Sequence, residues 1–454
     1  MKWLFGGSFV VLLLLSCAAW SIRPVPEAAG KIPLLWVSDD NPARREQIGL
    51  FNALNPQYEL RLDPNNQGME KVIVQSIAGV GPDLFDCYDG FQLSAYARSG
   101  IAWDITDKLK ESIDFEKDVW PAVFPNFVLD GRAYGFPTNV CANAIWFNKD
   151  IFEANGIPYP AGPWTWDEFL KVAQKLTVRE GRRVKRFGLL NDWWNWRQFV
   201  IQWGGEVYSR DGTRCILDSP EAIAGIQFLH DLMYKYKVMP TPAEEAAMAT
   251  TGGWGSGTIT VFADGKGAMA LGGRWWLCTL RTVQQNKKEK AERLRLGAVE
   301  CPHGPYRVFR GYGRATLVNK NSPRREEALQ FTRYEAGEPY NALINHQADA
   351  LAPVKPYSYT PGYLHDPAFP EEDFNAVWRD VMQYAVPDHD SPFINGQAAS
   401  RILDRQLDLV KSDEKPVADA LRAAAQELNE EIQKTLQRDP ELRVRYEALA
   451  GKKR

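Results

Sequence analysis

The sequence has little that would support redox, metal or nucleic-acid chemistry. None of its six cysteines falls in a Cys-x-x-Cys pair. Cys17 sits in an N-terminal apolar segment, leaving an odd set: Cys87, Cys141, Cys215, Cys278 and Cys301. A disulfide framework or a zinc site needs an even count or ligand spacing, so these read as small buried hydrophobes, and no metal or other cofactor is expected. The five histidines are scattered. No His-Glu-x-x-His and no Gly-x-Ser-x-Gly is present, and the glycine-rich run Gly252–Gly257 leads to no Gly-Lys-Ser/Thr, so it is no phosphate loop. The net charge of −3 carries no basic excess, which argues against a nucleic-acid partner. The chain also lacks internal repeats, low-complexity linkers and any apolar run of the ~20 residues that a membrane-spanning helix needs.

What is present is a large globular chain. Its 454 residues are too many for one ordinary domain and natural for two or three. The composition, 45% hydrophobic and 24% charged, is that of a soluble protein. Aromatic residues are abundant, with 16 Trp, 17 Tyr and 21 Phe. Most of them should fill a core, but several stand in polar, glycine-rich surroundings that read as loops.

The first 17 residues read as an export signal: Lys2, an apolar run Trp3–Leu15, then Leu14-Leu15-Ser16-Cys17. The run is too short to span a bilayer and fits a signal peptide. Its end resembles a lipobox, in which Cys17 becomes the lipidated N-terminus of a membrane-anchored protein; an ordinary signal peptide cut near Ala18–Ala19 is the alternative. One acyl chain holds a protein only marginally and two or more hold it stably. Residues 18–30 then form a tether.

From residue 31 short apolar strands alternate with amphipathic helices: Lys31–Ser38, Ala43–Leu54 (with Ile48, Phe51 and Leu54 inward), Tyr58–Leu62, Met69–Ile77 and Asp83–Cys87. That β-α-β-α-β order predicts an α/β fold with a mostly parallel sheet, whose ligands bind beyond the carboxyl ends of the strands. Thr165-Trp166-Asp167-Glu168 is a capping box. Ser219-Pro220 and Ser322-Pro323 read as an N-cap followed by a first-turn proline. Pro416–Leu436 carries Val417, Leu421, Ala424, Leu428 and Ile432 on one face and predicts a long packed helix.

Four blocks then resemble the extracellular solute-binding proteins of family 1, the maltose-binding-like group. They are Gly79-Val80-Gly81-Pro82-Asp83-Leu84; Gly131–Pro137 with Ile145–Phe152, Gly156-Ile157-Pro158 and Trp164–Phe169; Phe262–Trp276; and Gly297–Gly304 followed by Thr316–Glu335. The second block is the most specific, and the order and spacing of all four match the family's pattern. The resemblance implies a two-lobed periplasmic-binding-protein (type II, Venus-flytrap) fold with hinge-crossing segments near Thr138–Cys141, Val299–Pro302 and Ala352–Lys355. One lobe is expected over 31–139 plus 302–352, the other over 140–301 plus 353–454. It further implies a monomeric, exported, non-enzymatic protein that closes on a sugar or oligosaccharide and delivers it to an ABC permease. Alternatives are the same fold with a peptide, polyamine, phosphodiester or metal-complex cargo, and a surface-anchored glycan-processing enzyme with paired carboxylates.

A sugar site needs a ring of hydrogen-bonding groups with aromatic plates against the C–H faces. At positions matching the family's cleft loops the chain offers Asp39, Asp40, Tyr88, Asp89, Thr138, Asn139, Asp192, Trp193, Trp194, Trp254, Arg274, Trp275, Trp276 and Tyr312. One tryptophan of each adjacent pair is expected to stack on ligand and the other to pack in the core. Arg274 departs from the neutral residue usual there; it either grips an acidic sugar bidentately or pairs inside the protein.

Overall fold

The computed structural model describes Ser16 and residues 30–181, 183–248, 257–286 and 293–451. The signal segment with Cys17, the tether up to residue 29, and Trp254 lie outside the described residues.

The first β-α-β-α-β unit forms as its alternation predicts. Strands β1 (Ile32–Val37), β2 (Tyr58–Asp63) and β3 (Leu84–Cys87) are joined by helices Pro42–Leu54 and Met69–Ile77, and β1 pairs in parallel with both neighbours. The first helix buries Ala43, Arg44, Gln47 and Phe51. Leu54, expected inward, is 51% exposed: the helix ends there, so its last turn projects past the sheet. After the hairpin β4 (Val128–Leu129) and β5 (Arg132–Ala133), the chain enters β6 (Gly135–Ala142) and, one residue later, β7 (Ala144–Asn148). These two strands belong to different sheets. The chain therefore passes from one layer to the other at Asn143.

A second sheet has the order β11-β7-β10-β9-β8, built from β8 (Val178–Glu180), β9 (Arg183–Leu190), β10 (Gly267–Gly272) and β11 (Leu296–Glu300). The chain returns through residues 301–308 to β12 (Phe309–Val318), a ten-residue strand that runs antiparallel to both β3 and β6. Tyr312, expected in a cleft loop, lies inside this strand between Gly311 and Gly313. Close approach explains the glycine at Gly135 of β6: a Cβ there would stand 2.0 Å from the Thr316 carbonyl oxygen.

One part of the expected lobe division needs correction. Residues 353–454 were assigned whole to the second lobe, yet β13 (Ala385–Pro387) pairs in parallel with Phe309–Gly311 of β12 and completes the first sheet. The pairing is between positions some 75 residues apart in the chain, and local pattern carries no trace of it.

Caps form where the residues demand them. Thr165 and Glu168 make the reciprocal capping box and Ser219 caps Pro220–Tyr234. Ser322 instead accepts from the Arg324 N–H and donates to Asp83, and the helix starts at Arg325. The long helix Val417–Arg438 buries the expected face and packs on Pro220–Tyr234 and on Gly396–Lys411. Large rings dominate the cores, Trp36 against Phe331 at 4.9 Å in one layer and Trp146 against Trp378 at 4.5 Å in the other.

Candidate functional site

The carboxyl ends of β1 and β3 lie side by side and carry a buried charge network. Asp86 accepts from the Trp36 indole N–H at 2.9 Å, from the Ser38 hydroxyl at 2.6 Å and from the Tyr88 hydroxyl at 3.2 Å. Arg314 of β12 reaches across to Asp39 at 2.7 Å and to Asp86 at 3.3 Å. Arg44 holds Asp39 at 2.9 Å and Asp349 at 2.5 Å. Burial alone would raise the Asp39 carboxyl, but Arg44 and Arg314 bring it below its ordinary value. Asp86 is pushed up by burial despite Arg314. Of the Arg314 donors, Nη2 is buried and meets no protein acceptor.

Where the chain crosses between sheets, an aromatic cluster forms. Tyr312, on β12, donates its hydroxyl to Asn143 Oδ1 at 2.8 Å and accepts from the Trp275 indole N–H at 3.1 Å. Trp194 meets the Tyr312 ring edge-on at 5.0 Å and remains 39% exposed, a large aromatic face held open at the crossing point. Gly273 is needed here because a Cβ would come within 2.6 Å of both Trp275 Nε1 and Tyr312 Oη. Asn143 also donates to Asn195 at 2.6 Å, tying the crossing residue to the loop after β9.

Next to this cluster lies a cavity of about 1100 Å³, the size of a drug- or oligosaccharide-sized pocket. One wall is the first layer, with Asp89, Phe91 and Phe124; the other is the segment from Pro387 to Asn395. Met69 and Gln92 line it and also a smaller cavity of about 200 Å³ beneath Tyr88, Ser38 and Asp86. Asp388 in the wall binds the Arg310 guanidinium in a fork, at 2.6 and 2.8 Å. Arg310 lies over the rings of Trp194 and Tyr312, at 5.0 and 5.7 Å. Asp390 is held by Arg197 at 3.0 Å. Cavity, arginine pair and aromatic cluster are thus contiguous.

The candidates named from sequence separate into groups. Asp89 lines the larger cavity and Tyr88 the smaller one, Asp39 belongs to the charge network, and Trp194, Trp275 and Tyr312 form the aromatic cluster. Asn139 lies opposite Arg314 on the paired strands β6 and β12 and is half-buried. Asp192 accepts from the Thr258 hydroxyl and is raised by burial. Trp193 is half-buried with its indole nitrogen unpartnered. Asp40 is exposed and paired with Arg45 at 3.2 Å, a surface ion pair facing water. Trp276 is 1% exposed and packs against Phe262, so it is the core member of its pair. Arg274 is fully buried, and its three nitrogens donate to Asn375 Oδ1, the Ala350 carbonyl and the Asn345 carbonyl at 2.8–2.9 Å. It also lies over the Tyr363 ring at 4.9 Å. With its fork committed to protein carbonyls, it holds no open face toward a cargo.

Sequence reasoning missed Asp86, Asn143, Arg197, Arg310, Arg314, Asp388 and Asp390. Arg197 adjoined the Asp192–Trp196 block and could have been found there. The others act through partners tens to hundreds of positions away, as between Arg310 and Asp388 or Arg314 and Asp39.

Two α/β layers joined at Asn143 and through residues 301–308, with an aromatic cluster at the crossing and a carboxylate-lined cavity against the first layer, have the architecture of a two-lobed binding protein. The chain belongs to the family of bacterial extracellular solute-binding proteins, whose pattern matches residues 38–342. It is 25% identical over 365 residues to a binding protein of Brucella abortus, covering 78% of this chain and 81% of that one. It is 31% identical over 117 residues, 26% of each chain, to the arabinooligosaccharide-binding protein of Halalkalibacterium halodurans. Among solved structures it is similar to an ABC substrate-binding protein of Listeria monocytogenes in complex with cycloalternan, with a TM-score of 0.74 and 21% identity over 90% of this chain and 99% of that one. Family membership makes the chain an exported solute-binding protein. Among the described residues no three metal-ligating side chains gather, the five cysteines 87, 141, 215, 278 and 301 are unbridged, and no helix is long and apolar enough to cross a membrane.

Proposed function

We propose that this protein captures a sugar or oligosaccharide between its two lobes and delivers it, unaltered, to an ABC permease. The observation that carries the reading is Trp194, a large ring held open edge-on against Tyr312 at the point where the chain crosses between sheets. The Trp194 face, with Tyr312, Trp275 and Asn143 beside it, offers the flat apolar surface and hydrogen-bonding edge that pyranose rings require. The oligosaccharide ligands named for the Listeria and Halalkalibacterium proteins support the same class. Closure follows from the connections. The chain passes between the sheets at Asn143 and through residues 301–308, and a solute touching both layers favours the closed state by its differential contacts. The first lobe is assigned to residues 31–139 and 302–352 together with β13, the second to 140–301 and most of 353–454. Lipidation at Cys17 would keep the monomer at the outer face of a membrane, within reach of its permease.

The test is a Trp fluorescence and thermal-shift titration against mono- and oligosaccharides, uronic acids, sugar phosphates and polyamines. A solute at 100 times its dissociation constant should add about 2.7 kcal/mol of stability. A shift with one sugar class and intact ligand on recovery supports the reading. Recovery of cleaved sugar would establish an enzyme instead, and a response to a non-sugar alone would reassign the cargo.

A further inference from the structure

Among the described residues four carboxylates line the cavity, those of Glu70, Asp89, Asp388 and Asp390, and two of them have an arginine. Asp388 is forked by Arg310 and Asp390 is bound by Arg197. Asp89 has no ion-pair partner among the described residues. As N-cap of helix Gly90–Arg98 it accepts the Gln92 N–H at 2.8 Å through Oδ1, and its side chain lines the cavity. Its charged neighbours come from several elements. Asp388, His389 and Asp390 lie on the facing segment, Arg197 behind them, Arg310 on β12, Glu70 on Met69–Ile77 and Arg401 on Gly396–Lys411. On its own helix, Arg98 is turned to the Pro392 carbonyl at 3.2 Å and to Asp439 at 3.9 Å. His389 is engaged with the Ser209 carbonyl and Arg401 is exposed at the rim. Burial first, then Asp390, pushes the Asp89 carboxyl up to about 6; the site is locally electronegative even with Arg197 counted. Arg98, Arg197 and Arg310 are held by carboxylates or a carbonyl, which leaves exposed Arg401 as the lining arginine without such a partner among the described residues.

We infer that the cargo bears a protonated amine, in the form of an amino sugar or a short amino-oligosaccharide, and that Asp89 is the residue that selects it. This rests on the sugar-binding reading above and adds the charge of the solute to it. A buried carboxylate lacking a cation gains most from a ligand that brings one, because the charge-assisted hydrogen bond forms in a low-dielectric site. A neutral hydroxyl can occupy the same place but forgoes that gain.

The experiment uses the full-length protein in mild detergent and its Asp89→Asn variant. Asparagine caps helices as well as aspartate does, so the fold is preserved, and an unchanged melting temperature verifies it. Trp fluorescence titrations compare a neutral disaccharide, its amino-sugar counterpart (the glucosamine disaccharide) and its uronic-acid counterpart. At about pH 7.5 the amino sugar should bind at least about tenfold more tightly than the neutral parent. D89N should lose that advantage, the ratio of amino-sugar to neutral-sugar affinity falling to about one. Between about pH 7.5 and 5 the amine's affinity should fall in the wild type as Asp89 takes up its proton, and the fall should vanish in D89N. A fall that survives in D89N would overturn the assignment to Asp89. Equal binding of neutral and amino sugars, or tightest binding of the uronate, would overturn the inference and leave the sugar-binding reading in place. No response to any of the three, together with none in the wider sugar panel, would remove both.

Discussion

Arg314→Met tests the charge network under the cleft. Arg314 is 2% exposed and neutralises two carboxylates, Asp39 at 2.7 Å and Asp86 at 3.3 Å, while its Nε donates to Thr138 at 2.9 Å. Methionine fills much of the volume but leaves both carboxylates without this cation. Removing one partner of a buried ion pair costs about 3–5 kcal/mol. At about 2–4 °C per kcal/mol for lobes of this size, the melting temperature should drop by roughly 6–20 °C. The cost should also depend on pH. Asp39, whose folded-state pKa is lowered, contributes stability that is present above its unfolded value and lost as pH falls through its folded value. Asp86, whose folded-state pKa is raised, costs stability while ionised, and that cost disappears as pH falls below its folded value. Without Arg314 the first contribution shrinks and the second cost grows. The gap between variant and wild type should therefore be widest near neutrality and narrow as pH falls toward about 4. Urea unfolding followed by Trp fluorescence at several pH values reads this directly. A loss under about 1 kcal/mol, or a loss constant across that range, would refute the claim that Arg314 compensates two buried charges.

Trp194→Ala should weaken the solute by about 2 kcal/mol, roughly thirtyfold, with little effect on the unliganded melting temperature. Trp276→Ala should instead destabilise the fold by about 3–5 kcal/mol, so calorimetry on the pair separates the cleft tryptophan from the core one. Arg274→Met should lower stability by several kcal/mol, because three buried acceptors lose a charged donor, yet leave the ratio of uronate to neutral-sugar affinity unchanged; a shift in that ratio would restore Arg274 to the site. Cys17→Ser should move the protein from the membrane fraction to the soluble fraction on cell fractionation, and retention at the membrane would disprove lipid anchoring there.

The first layer was legible because its signals are local. Period-two strands, a helix between each, and Gly79–Pro82 as the break set β1 to β3 within a residue or two. The capping box at Thr165 and the face Val417 to Ile432 are likewise short-range. The candidate site was half legible. Residues just past strand ends, such as Asp39 and Asp89, follow from chain direction alone. The division of labour within Trp275-Trp276 did not, since adjacent residues point to opposite environments and only the packing of Phe262 and Tyr312 says which is which.

What the sequence by itself determined, then, is the chemistry available at each strand end and the alternation that makes the layers: periodicity and capping act over a few residues and survive in any context. The tertiary structure decided how charges were paired. Arg274 was drawn into the core by carbonyls at Asn345 and Ala350, Arg310 and Arg197 were claimed by Asp388 and Asp390, and Asp89 was left facing the cavity without a cation. An arginine in a sequence has a charge but no partner; which carboxylate or carbonyl it meets depends on contacts tens to hundreds of residues apart, and those exist only once the two layers have closed around the crossing.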